Sequence, residues 1–293
     1  MDDRPARGRP VGPCYTESSS RHDRRLKLMR LVKLYWMLQM ANIRSRSAYR
    51  LNFFIGIGGV GLVGIGNFIL IWVLTRRVPE VQGWNYYQLI FLAALFQVTH
   101  GVFIITFQQI RRIEYIIREG KFDRFLIRPL NPLFSYATSM VTVAGFGDMS
   151  SGLIGMVYSG THLHSWNAGK LLFLLLIVLS GALIQWALYT IVGCVGFWTY
   201  QAEGLRTILN AFLFQFNQFP LTVYNKAVQI VLSFVLGVAF ISYFPSAMFF
   251  DKQADVPFSS VLVYAPPVAA VIMAAIAYRF WKLGLDAYKG AGS

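Results

Sequence analysis

The chain has 293 residues and a formal net charge of +14; 56% of its residues are hydrophobic and only 14% are charged. Its mean hydropathy is +0.50. Such a composition excludes an ordinary soluble domain, and a basic balance on so apolar a chain reports loop topology rather than nucleic-acid binding. Cys14 and Cys194 match no metal or redox spacing and read as incidental.

Residues 1–25 are rich in Arg, Pro, Gly and Ser and read as a disordered cytoplasmic arm. In residues 26–50, Lys27, Arg30 and Lys33 recur every third position while Leu28, Leu31, Val32 and Tyr35 follow helical spacing. That pattern predicts an amphipathic helix lying along the inner leaflet, in contact with membrane lipid. Leu51 to Thr75 then runs without a single charge. A bilayer core of about 30 Å needs roughly 20 apolar residues as helix, because only a helix satisfies every backbone group within its own segment.

Comparable stretches give six predicted transmembrane helices at 51–75, 86–110, 132–158, 171–198, 227–250 and 256–278. They occupy residues 51–283, with a cytoplasmic loop at 111–131 and a cytoplasmic tail at 284–293. With an inner N-terminus, the inner segments hold twelve Lys/Arg in residues 1–50, six in 111–131, two in 199–226 and three after Tyr278. The outer loops keep only Arg76, Arg77, Lys170 and Lys252. This asymmetry predicts both termini in the cytoplasm and an all-α polytopic membrane protein. Residues 207–225 are uncharged too, but Asn210, Gln215, Asn217, Gln218 and Pro220 are costly against lipid. The expectation for that segment is an interfacial or re-entrant element.

Catalytic chemistry is sparse. His162 and His164 form an H-x-H without an acidic or Cys partner nearby, so no metal is expected. The stretch GIGGVG at 56–61 matches a dinucleotide fingerprint literally but lacks the strand-turn-helix context; Gly56, Gly59 and Gly66 instead suggest close helix packing. No phosphate-binding G-x-x-x-x-G-K-[ST] occurs, so any ATP and Mg would belong to a separate chain. Asp148, the only carboxylate inside a predicted span, and His100 in the second span are candidate intramembrane functional groups. A proton-coupled secondary transporter would use them as relay groups, although inverted repeats and further membrane charges are not seen.

The loop RRIEYIIREGKFDRFLIRPLNP (Arg111 to Pro132) carries six basic and three acidic residues. Arg111 to Glu119 can extend the second span, Gly120 can stop it, and Phe122, Phe125, Leu126 and Ile127 offer an apolar docking face. Pro129 and Pro132 fix the turn back to the membrane. The stretch REGKFDRFLIRPLNPL (Arg118 to Leu133) resembles the Gly-x-x-Asp-x-x-Leu-x-Arg-Pro-Leu segment of a bacterial family of ATP-binding cassette transporter permeases of the six-helix, type-two exporter class. Residues 218–250, with Phe-Pro-Leu at entry and Phe-Pro at exit, and the ending WKLGLDAY resemble two further stretches of that family.

The resemblance covers roughly residues 30–293. It implies a membrane permease of the bacterial cytoplasmic membrane, paired with a second, identical or related permease subunit and driven by an ATP-binding cassette ATPase. It also implies that Glu119, Gly120, Lys121, Phe122, Asp123, Arg124, Leu126, Arg128 and Pro129 carry the ATPase contact. The first and fifth spans would line the pathway, with Gly61, Gly64, Phe212 and Phe216 as candidate lining. One departure concerns the fifth helix: the family often has a mid-span Pro where this chain has Gly237 or a neighbour, which leaves the helix kink open.

Overall fold

The computed structural model describes residues 37, 40, 50–127, 131–137, 139, 142–162, 166–199 and 201–288. The interfacial helix expected at 26–50 and the last residues of the tail lie outside the described residues, except for isolated positions. Helix α1 spans Arg50–Arg77 and ends where Val78 precedes Pro79, a residue pair that leaves the helical region. A two-residue hairpin, Glu80–Val81 with Trp84–Asn85, turns the chain around. It is the only sheet among the described residues.

Helix α2, Tyr86–Phe107, starts at a capping box: Asn85 Oδ1 accepts from the Gln88 N–H, and Gln88 Oε1 accepts from the Asn85 N–H, each at 3.1 Å. It continues through a 3₁₀ turn, Gln108–Arg112, into α3, Ile113–Arg118. The continuous segment Tyr86–Arg118 has 33 residues, about 50 Å of helix against a bilayer core of about 30 Å. It is thus longer than a bilayer core requires.

Two short helices follow, α4 at Asp123–Leu126 and α5 at Pro132–Ala137, then α6 at Ala144–Gly160 and α7 at Ala168–Cys194. The third expected span, 132–158, is thus divided between α5 and α6. Helix α8, Gly196–Thr199, closes the end of α7, and α9 covers Glu203–Phe216. Then come α10 at Lys226–Ile230, running on as a π-helical turn at Val231–Val235, and α11 at Tyr243–Phe249. The last helix, α12, is Pro266–Ala287. It begins ten residues later than the expected sixth span because Pro266 and Pro267 suit the first helical turn and no interior position.

Four of these helices are long and apolar enough to cross a membrane, and a fifth candidate is the pair Lys226–Val235 and Val238–Phe249, bent by 73°. The bend sits at Gly237, whose φ of +64° few side chains tolerate. So a kink exists here without proline. Helix α9 starts beside Glu114, which Arg206 pairs with at the far end of the α2–α3 segment. It ends at Asn217, whose Oδ1 accepts from Ser242 Oγ at 2.6 Å, next to Tyr243, which packs on Trp84 of the hairpin at 5.6 Å. The segment read as interfacial therefore runs from the elbow to the middle of α2, where Phe214 packs on Phe96 and His100. Before the bent pair Tyr224 packs on Phe216 at 4.7 Å, and after it Lys252 donates to the Gly83 carbonyl of the hairpin. Residues 226–249, expected as one straight fifth span, are thus a bent pair: a broken span or a re-entrant loop. Hydropathy alone cannot see a left-handed residue.

Helix α2 is the centre of the bundle: 83% of its most apolar window is buried, against 11% for α1, whose apolar flank faces outward. Helices α2 and α6 meet backbone to backbone. A Cβ on Gly101 would lie 2.7 Å from the Gly145 carbonyl oxygen, and one on Gly145 would lie 2.7 Å from that of Gly101. By contrast Gly56, Gly59 and Gly66, expected from sequence to mediate packing, meet nothing within 4 Å. A Gly101→Val substitution should accordingly cost at least about 1–3 kcal/mol through overpacking. Gly56→Val should leave thermal unfolding in detergent close to wild type, and equal shifts for the two would contradict this packing.

Candidate functional site

The elbow between the second and third spans is built by a helix stop. Gly120 adopts φ of +65°; its N–H bonds to the Ile117 carbonyl at 3.1 Å, and the Lys121 N–H bonds to that of Ile116 at 3.0 Å. This pair of reversed bonds is a Schellman cap, which satisfies the last free carbonyls and turns the chain sharply. Lys121 then pairs with Glu119, holding that carboxyl below the ordinary range, with help from the Tyr115 hydroxyl. Both side chains are exposed, so the pair contributes little net stability.

Phe122 does not form part of a docking face, contrary to the sequence expectation. It is fully buried, with Phe197 and Trp281 at 5.7 Å and Tyr288 at 5.4 Å between ring centroids. Phe125 is also buried and packs on Tyr136 at 5.3 Å. Trp281, Gly284 and Tyr288 all belong to the ending WKLGLDAY: Gly284 leaves room for the Phe197 ring, and Tyr288 donates to Asp123 Oδ1 at 2.8 Å. Two stretches about 160 residues apart thus form one aromatic clamp that fixes the elbow to α12. What the elbow exposes is Tyr115, Lys121, Arg124, Leu126 at 39% and Ile127 at 85%. Arg128 and Pro129 lie outside the described residues.

The elbow is also tied to α9. Arg206 donates to the Arg111 carbonyl at 2.8 Å, pairs with Glu114, and reaches Glu203 at 3.3 Å. Asn210 Oδ1 accepts from Arg111 at 3.2 Å and from the Tyr189 hydroxyl. These polar groups border a cavity of about 330 Å³ lined by Arg112, Glu114, Tyr115, Arg118, Glu203 and Arg206. Sequence reading missed Glu114, Arg206 and Tyr189. A signal existed in Asn210, whose polarity was counted only as a cost against lipid.

At membrane depth, His100 is a core residue. Its Nδ1 lies 2.7 Å from Gln185 Oε1, and Gln185 Nε2 donates to Thr99 Oγ1 at 3.3 Å. An amide oxygen only accepts, so Nδ1 carries the proton. The ring packs among Phe96, Phe103 and Phe214. Removing the partner with Gln185→Leu should destabilise by about 1–3 kcal/mol, measured by thermal unfolding. It should leave the pH profile of transport unmoved, whereas a shifted profile would restore a relay role.

Asp148 stands in a different setting. It lines a cavity of about 210 Å³ together with Gly64 and Asn67 of α1, Phe96 and Gln97 of α2, and Phe214 and Gln218 from α9 and its continuation. Of the expected lining, Gly64 is present; Gly61 instead lies against Gly147, and Phe212 and Phe216 stack on each other at 5.1 Å. His100 and Asp148 share no hydrogen bond among the described residues.

A family model described as ABC-2 family transporter protein matches residues 62–292. The chain belongs to the ABC-2 transporter family. The match embraces the elbow, the clamp and the cavity, and with the membrane-length helices it makes the chain a multi-pass ABC-2 permease. No curated protein and no solved structure matches it. Among the described residues of this ABC-2 chain, no group of three or more His, Cys, Asp or Glu is placed to hold a metal.

Proposed function

We propose that this ABC-2 family chain is the membrane subunit of an ATP-driven exporter in a bacterial cytoplasmic membrane. It pairs with a second permease subunit and is driven by a separate ATP-binding cassette ATPase, which holds the ATP and Mg. The elbow faces the cytoplasm, as the Lys/Arg asymmetry favours. The observation that carries this reading is the elbow itself: a capped turn at the end of the 33-residue helical segment, clamped from behind by Phe122, Trp281 and Tyr288, with Leu126 and Ile127 left bare.

Closure of the ATPase subunits pushes on Leu126, Ile127 and the flanking Glu119, Lys121, Asp123 and Arg124. Because Arg206 and Asn210 bind the same segment, the push tilts α9 and with it the lining of the Asp148 cavity. Such a shift needs contacts whose free energy differs between the two states, and a polar tie that remakes at the helix end supplies it. The test is affinity purification of the full chain from native membranes followed by mass spectrometry. An ATP-binding cassette ATPase recovered in near-stoichiometric amount is expected; its reproducible absence would overturn the reading.

A further inference from the structure

The cavity at Asp148 has properties that the coupling scheme leaves unused. Its carboxylate makes no hydrogen bond or ion pair among the described residues. The neighbouring hydroxyl, Ser151 Oγ, is committed to Gln97 Oε1 at 2.9 Å and to the Gly147 and Asp148 carbonyls at 3.0 and 3.1 Å. Gln97 is held at its other atom as well, donating to the Gly64 carbonyl at 3.2 Å. Arg111 is engaged by Asn210 and the Tyr189 ring, 5.1 Å away. A carboxylate at membrane depth without a partner is costly unless a positive group neutralises it.

We propose that this cavity binds the amine or quaternary ammonium headgroup of an amphipathic molecule whose hydrocarbon tail stays in the bilayer. Asp148 supplies the counter-charge, the side-chain oxygens of Asn67 and Gln218 accept from N–H groups or face polarised methyls, and the Phe96 and Phe214 rings offer cation-attracting faces. An anion meets a carboxylate and no Lys or Arg in the lining here, and a bare proton makes no use of the apolar wall. At about 210 Å³ the space is below the roughly 300–1,000 Å³ of pockets that take whole ligands, so it fits a head and not a tail. The tail has an exit: Val63 lines the cavity yet is 69% exposed, on the outward apolar flank that also carries Leu62.

This deepens the permease reading by naming a substrate class, and rests on that reading for the direction of movement. The test is calorimetric titration of the purified full chain in nanodiscs with octyltrimethylammonium, empty nanodiscs being subtracted, and with octyl glucoside as the uncharged probe. Saturable binding of the ammonium alone is expected. Asp148→Asn should weaken it at least tenfold, while Asp148→Glu should retain it. Should Asp148→Asn fail to fold, Asn67→Leu takes its place with a several-fold loss expected. Equal affinity for both probes, binding unchanged in Asp148→Asn, or no binding by the wild type overturns the site. The titration needs no ATPase, so lost binding with an ATPase still co-purifying removes the headgroup site alone. Retained binding with no ATPase recovered removes the coupled-permease reading alone.

Discussion

Leu126→Asp combined with Ile127→Asp should abolish recovery of the ATPase while leaving the permease in the membrane at wild-type abundance. Both side chains are exposed in the isolated chain, so neither substitution opens a cavity or strips a partner within the fold. At an interface, burying two such aliphatic groups is worth about 1.5–3 kcal/mol each, and placing a carboxylate in either site adds a desolvation cost. Together they correspond to binding weakened by at least about 100-fold. Co-purification and ATPase stimulation by the reconstituted permease measure it. Normal stimulation by the double variant would mean that the motor, if there is one, docks elsewhere.

The fold class was legible because hydropathy and charge placement act through the bilayer, which punishes any unsatisfied backbone group or lipid-facing charge. Gly120 was legible for a local reason: a helix running into Glu-Gly-Lys has few other ways to stop. Phe122 was not. An apolar residue in a basic loop fits a partner's groove and a private core equally well, and what decides is Trp281 and Tyr288, far along the chain. The bend in the expected fifth span was hidden for a related reason. Residues 227–250 read as one straight apolar stretch, yet at Gly237 the chain bends by 73°. Asn210 and Gln218, polar and so assigned away from the membrane interior, point at Arg111 and at the Asp148 cavity. Polar groups are costly against lipid and valuable against protein, and composition alone does not tell which they face.

Phe122→Ala should destabilise the elbow more than any surface change, by about 3–5 kcal/mol for the emptied ring site. The site is closed by three rings from two other elements, Phe197, Trp281 and Tyr288, which cannot all collapse into the space. For a chain of this size about 1 kcal/mol moves the unfolding midpoint by roughly 2–4 °C, so a fall on the order of 10 °C in detergent is expected. Phe122→Leu should recover much of it. ATPase binding should fall in Phe122→Ala too, and the cause can be separated. Trp281 is buried on α12, with no surface to offer a docking protein, and it holds the same clamp. If Phe122 acts by positioning the elbow, Trp281→Ala weakens ATPase binding to a similar degree. If Phe122 were itself the contact, Trp281→Ala would lower stability and leave binding intact, and the clamp would then be scaffold rather than transmission.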